Sequence, residues 1–260
     1  MLDALIGWHV PEVEPGLAWW PLVAVIAALV LVNVINNRLA PNSHYFLWSI
    51  AGSVLFLAIG ILDGNSWIDM GLGLAYLLPG LIWAAASIGL VTVAYLIASA
   101  FRKTREAFHD ERIVEMSGGR LAFQALIEVP FGTVLFEEIA FRAVLFSMLA
   151  RRFGVVPAII ISALLFGIWH VLPSIGTHEA NPALGSVVGT GTRGHVLAVL
   201  ASVATTTLAG VVFAMMRIVS GSVLAPMGLH WATNGLGYGF SWVLITWRRK
   251  RRGSSGTASG

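Results

Sequence analysis

Cysteine is absent from this 260-residue chain. Disulfides, thiolate metal sites and a cysteine nucleophile are therefore excluded, whichever compartment the loops face. Charge is scarce as well: Asp, Glu, Lys and Arg make up 11% of residues, against about 25% in an average soluble domain. The opening stretch MLDALIGWHVPEVEPG holds Asp3, Glu12 and Glu14 and no basic residue. It lacks the positive region of a cleavable signal peptide, so the first apolar run is expected to stay in the mature protein.

Apolar side chains take the place of charge. They form 57% of the chain, and the mean hydropathy is +0.81, which implies an integral membrane protein. Ten Trp residues and a pI near 9.7 fit interfacial anchors and basic ends on an anionic membrane. The basic residues sit between apolar segments rather than along one face, so nucleic acid is not an expected partner. A helix needs roughly 20 apolar residues to cross the bilayer core. Runs of that kind lie near 17-37, 44-62, 72-100, 121-150, 155-173, 195-217 and 221-247. They are apolar all round, unlike the alternating segments of an outer-membrane barrel. The expected fold is all-α, a polytopic transmembrane bundle of about seven helices, preceded by residues 1-16 and followed by a basic, flexible tail at 248-260. No internal repeat is visible.

Orientation follows from basic residues in short loops. Segment 101-120 carries Arg102, Lys103, Arg105, Arg112 and Arg120, and the tail carries RRKRR at 248-252. Both are expected on the cytoplasmic side of a plasma (inner) membrane, with the N-terminus outside. Arg151 and Arg152 fall on the outer side in this arrangement and disagree with it, unless they snorkel to headgroups. Segment 101-120 also mixes its basic groups with Phe101, Phe108, Ile113 and Met116, so a short interfacial helix competes there with a solvated loop.

Charges inside a span are costly, about 2.5 to 3.5 kcal/mol at a helix centre on the insertion scale, and normally face the bundle interior with a partner. The stretch FEEIAFR (136-142) carries three. Glu138 and Arg142 are i and i+4 with the acid N-terminal, the favourable order for a helical ion pair. Glu137 points about 100° away and is free to face something else. His170 ends FGIWH, four residues after Phe166, and HWATN places His230 and Asn234 on one face. Counted from Arg151, Pro157 and Ser222, the residues Glu137, His170 and His230 lie about 14, 13 and 8 positions in, or roughly 21, 20 and 12 Å. Asn234 comes to roughly 18 Å. An acid, two imidazoles and an amide from three helices thus reach a similar level.

Such a set supports two chemistries. A carboxylate with a histidine can activate water as general base, while a second histidine and an amide donate to the oxyanion of a tetrahedral intermediate. Alternatively, two His and one Glu hold a divalent metal such as zinc with a position open for water. Spacing does not choose between them. Taken singly, each residue also has a packing explanation: a buried His is commonly a satisfied core residue, and Asn in a span serves as interhelical glue. Phe166 reads as packing, and Glu138 with Arg142 as a structural pair that holds Glu137 in place. Glu128 belongs either to a wet vestibule or to the inner boundary. His9, His44, His109, His178 and His195 read as interfacial.

EEIAFR (137-142), FGIWH (166-170) and HWATN (230-234), in this order, resemble the motifs of the CAAX-processing and bacteriocin-processing (CPBP, or Abi) intramembrane proteases, which include Rce1-type type II CAAX endopeptidases. The resemblance covers about 120-247 of a helical domain spanning 17-247. It implies that Glu137 and His170 activate water, that His230 and Asn234 stabilise the oxyanion, and that Glu138, Arg142 and Phe166 support them. It implies a peptide or protein substrate, prenylated or not. It leaves both a metal mechanism and a metal-free glutamate mechanism open. Ala143 stands where the family often has Gly. The first 100 residues carry no transferable motif.

Other classes compete. GLGYG (235-239) is similar to a potassium-channel filter, but no second pore helix follows it. A proton-coupled transporter also uses buried Glu, His and Arg, although no repeat supports one. A membrane immunity or scaffold protein needs no chemistry at all. HExxH is absent, no apolar run contains GxSG, and no run core holds Asp. These gaps argue against zincin, serine and aspartyl intramembrane proteases.

Overall fold

The computed structural model describes residues 7, 9–39, 45–105, 108, 113, 116–176, 182–189 and 191–256. His44, His178 and eight residues of the stretch 101-120, His109 and Arg112 among them, lie outside them; within that stretch, where an interfacial helix is one of the two expectations, Arg102–Arg105 forms a single helical turn. Among the described residues the chain is helical without strands, and each of the seven apolar runs is a helix. We number these α1 (Trp20–Val34, continuing π-wound over Ile35–Leu39), α2 (Tyr45–Leu62), α3 (Leu77–Ala100), α4 (118–153), α5 (Val155–Trp169, with a further turn at Val171–Ser174), α6 (Gly191–Ser220) and α7 (224–256).

Four segments are long and apolar enough to cross a membrane: Trp20–Leu39, Leu74–Ala100, Val155–Ser174 and Gly191–Ser220. Phe46–Leu62 is apolar but shorter. Helix α4 carries Glu128, Glu137, Glu138 and Arg142, and α7 runs into the basic tail. Their position in the bundle explains how α4 tolerates its charges. From Phe136 to Arg151 every residue of α4 is buried, with α1, α2, α5, α6 and α7 packed around it. The surrounding helices turn apolar faces outward, Leu90 on α3 and Leu208 on α6 among them. Protein, not lipid, therefore surrounds the charged helix.

Helix α4 is not a regular α-helix. It is π-wound over Gln124–Val134 and again over Ile139–Leu145, with an ordinary turn, Leu135–Glu138, between them. Wide turns of this kind recur at functional sites. In a π turn the N–H of residue i+5 donates to carbonyl i, and Pro130 has no N–H to give. The Ala125 carbonyl is instead satisfied by the indole Nε1 of Trp231 on α7, at 2.8 Å. Gly235 permits this bond, because a Cβ there would stand 2.7 Å from Trp231 Nε1. Helix α5 approaches α6 closely at Gly167, where a Cβ would fall 2.0 Å from Thr207 Oγ1.

The bundle end formed by the N-terminal segment and the α2–α3 loop is tied by charge. Arg151 holds Glu14 in a two-point contact at 2.7 and 3.0 Å and donates to the Asp63 carbonyl at 2.8 Å. Arg152 holds the Asp63 carboxylate through both Nη atoms. The two arginines that disagree with the charge rule are thus each paired with an acid of the same end. His9 meets Asp69 at 3.2 Å, and the fully buried Arg217 donates to the Asp69 carbonyl at 2.6 Å.

Candidate active site

Glu137 and Glu138 sit in the single ordinary turn of α4 between its two wide ones. The turn points the two carboxylates at different neighbours, as their spacing predicts. Glu138 is fully buried. Its Oε1 accepts from Arg142 Nη1 at 3.2 Å and from His230 Nδ1 at 2.8 Å. The i,i+4 pair read from the sequence is present, and His230 of α7 is added to it. The Arg142 guanidinium carbon lies 3.9 Å from the ring centroid of Phe166 and 4.8 Å from that of Phe213. Two aromatic faces therefore enclose a cation whose charge Glu138 balances.

Glu137 faces a cavity of about 700 Å³, within the range of roughly 300–1,000 Å³ found for ligand sites. His170, His230 and Asn234 line the same cavity. Glu137 Oε1 accepts from the indole Nε1 of Trp169 at 3.0 Å. Its Oε2 is buried with no hydrogen-bond partner among the described residues. That oxygen lies 3.9 Å from His170 Nε2 and 3.8 Å from His230 Nε2. Asn234 lies in a π-wound stretch of α7, Ala232–Leu236, on the exposed side of the cavity. The three motifs thus converge on one space.

Hydrogen bonding assigns the imidazole roles. A carbonyl only accepts, so His170 Nδ1, 2.7 Å from the Phe166 carbonyl, carries a hydrogen and leaves Nε2 as an acceptor in the neutral ring. Glu138 fixes His230 in the same sense, with Nδ1–H toward the carboxylate. Its Nε2 becomes a donor only as imidazolium. Phe213 stacks on the His230 ring at 5.1 Å, and Phe166 meets His170 edge-on at 4.6 Å. Glu128, the residue the sequence left between two places, pairs with Arg120 at 2.9 Å, and the same guanidinium donates to Gln124 of the cavity lining.

Trp169, Phe213 and the Glu138–His230 bond are not signalled by the sequence motifs. Trp169 adjoins a motif histidine, but it lies 32 residues from Glu137, and no periodicity rule links the two.

Two imidazoles and a carboxylate are chemically suited to zinc. Separations of 3.8 and 3.9 Å are wider than the roughly 3.4 Å between ligands on tetrahedral zinc with bonds near 2.1 Å. Among the described residues no group of three His, Asp or Glu side chains stands at metal-binding spacing. The arrangement fits a water molecule, which takes 2–4 polar partners at longer range.

Comparison with known proteins agrees with the motifs. The family described as Type II CAAX prenyl endopeptidase Rce1-like matches residues 120–236, the part of the chain that supplies Glu137, His170, His230 and Asn234. Neither the curated proteins nor the solved structures contain a match to this chain.

Proposed function

Because residues 120–236 match the Rce1-like type II CAAX prenyl endopeptidase family, we propose that this integral membrane protein is an endopeptidase using a glutamate-activated water. Its substrate would be a peptide or protein held at the membrane, with a prenylated C-terminal segment the first class to test. The observation that carries the reading is Glu137 Oε2, a buried carboxylate oxygen without a hydrogen-bond partner among the described residues that faces two imidazole Nε2 atoms across a cavity. Buried polar atoms are seldom left unmade unless a ligand or water completes them.

In the proposed reaction a water lies between Glu137 Oε2 and His170 Nε2 and donates to both. As its oxygen bonds to the scissile carbonyl carbon, one water proton passes to Glu137. The carbonyl π electrons move to oxygen, where Nε2–H of His230 in its imidazolium form and the Asn234 amide donate to the resulting oxyanion. Collapse of the intermediate breaks the C–N bond, and Glu137 returns the proton to the leaving nitrogen. Glu138 keeps His230 oriented throughout. With the N-terminus outside, the cavity would lie toward the cytoplasmic side, since Phe108 and Ile113 of segment 101-120 line it.

The test is hydrolysis of a prenylated reporter peptide by detergent-purified protein, read by product mass. The wild type should cleave it and Glu137→Gln should not; equal cleavage by both rejects the assignment. Substrate flux into proteoliposomes without any product of altered mass would instead establish a transporter.

A further inference from the structure

Glu137 has two oxygens with unlike surroundings. Oε1 is engaged by the Trp169 indole at 3.0 Å, while Oε2 has no hydrogen-bond partner among the described residues and faces His170 and His230. A carboxylate free to rotate about its last torsion would exchange the two, because that torsion is broad and roughly two-fold. A single N–H donor removes the degeneracy. The donor is itself held: the Trp169 ring packs against Phe136 at 5.6 Å and Phe141 at 5.8 Å. Its backbone carbonyl accepts from Asn33 Nδ2 of α1 at 3.0 Å. Asn33 in turn accepts from the side chain of Asn37 at 2.7 Å.

The last carbonyls of α5 have no further helical N–H to accept from, so the Asn33 amide supplies one where the helix breaks before His170. Helix α1 lies outside the family-matching region of 120–236. It nevertheless reaches the reaction centre through one tryptophan.

We infer that Trp169 is a positioning residue that reserves one oxygen of Glu137 for the indole and presents the other to the reacting water, with Asn33 of α1 anchoring it. The inference rests on the proposed glutamate mechanism for its kinetic consequence and on the hydrogen bond alone for its geometry. Two measurements keep the two apart. Trp169→Phe keeps an aromatic ring beside Phe136 and Phe141 and removes the N–H donor. With the prenylated reporter, kcat should fall about 10- to 100-fold, the scale seen when an outer-shell partner of a reactive ligand is removed, while KM stays within about twofold because the lost N–H is committed to Glu137 and not to substrate. The Asn33→Ala, Trp169→Phe double variant should be no slower than Trp169→Phe alone, since both act along one chain of contacts.

Independently of any substrate, protein labelled with nitrogen-15 at tryptophan should show one indole resonance that vanishes in Trp169→Phe. The same resonance should shift in Glu137→Ala and stay in place in Glu128→Gln. An indole resonance unmoved by Glu137→Ala overturns the hydrogen bond and the inference with it. A wild-type kcat in Trp169→Phe, beside an inactive Glu137→Gln, overturns the inference and leaves the glutamate mechanism standing. Cleavage retained by Glu137→Gln rejects that mechanism, and the resonance shift then decides the geometry alone.

Discussion

Glu138 Oε1 lies 2.8 Å from Nδ1 of His230, across 92 residues of sequence. One carboxylate thereby joins α4 to α7 and sets which nitrogen of His230 turns toward Glu137. The neighbouring acid is left uncommitted at one oxygen. Adjacent glutamates of the same type thus take different parts because the helix turn sends them to different neighbours.

Glu137→Gln, His170→Ala and His230→Ala are each expected to abolish cleavage of the reporter while the protein still expresses and folds. Loss of a general base or an oxyanion donor costs about 10²–10⁴-fold in rate. The check is product formation beside a size-exclusion profile; a folded variant with wild-type turnover contradicts the role of that residue.

Arg142→Met should behave differently, by destabilising the protein. It leaves Glu138 as a buried charge with a histidine in place of a guanidinium, and breaking one side of a buried pair costs about 3–5 kcal/mol. Thermal unfolding in detergent should show a lowered midpoint, whereas Glu137→Gln, whose acid lacks a cationic partner within hydrogen-bond reach, should shift it far less. Equal midpoints for the two variants would contradict the pairing.

Gly235→Ala is predicted to impair activity although position 235 carries no reactive group. The added Cβ would meet the Trp231 indole nitrogen at 2.7 Å and displace it from the Ala125 carbonyl. The wide turn that carries Asn234 would shift with it. Turnover should drop by about tenfold or more, since small misplacements of reacting groups are costly. Gly239→Ala, which would meet open space, serves as the control and should be silent.

Chelation should leave turnover intact. The carboxylate-to-imidazole separations at the site suit water better than tetrahedral zinc, so incubation with 1,10-phenanthroline followed by elemental analysis is expected to give active, metal-poor protein. Activity lost on chelation and restored by zinc alone would reverse that reading.

Acid should loosen the opposite end of the bundle first. Two hydrogen bonds from Arg151 hold the Glu14 carboxyl below the usual carboxylate range. Burial pushes the Asp69 carboxyl up, but hydrogen bonds from Ser66 and His9 outweigh it and hold this group low too. A depressed carboxyl contributes stability above its unfolded pKa and loses it as pH falls through the folded value. Protection of the N-terminal segment from proteolysis should therefore decline below about pH 4, and Asp69→Asn should flatten that decline. Protection that rises toward pH 3 would contradict it.

The amino-acid sequence by itself determines much of this protein, and for a physical reason. Water and lipid sort residues by transfer energy, so apolar runs alone mark the helices. The periodicity of a single helix then separates Glu137 from Glu138 and pairs the latter with Arg142. Contacts between helices obey no such rule. That His230 bonds Glu138, that Trp169 takes one oxygen of Glu137, and that Arg151 and Arg152 find Glu14 and Asp63 are decided by how the helices cross. Those crossings depend on close approaches at Gly167 and Gly235 and on wide turns around Pro130, where each added or missing atom moves a neighbouring helix rather than its own.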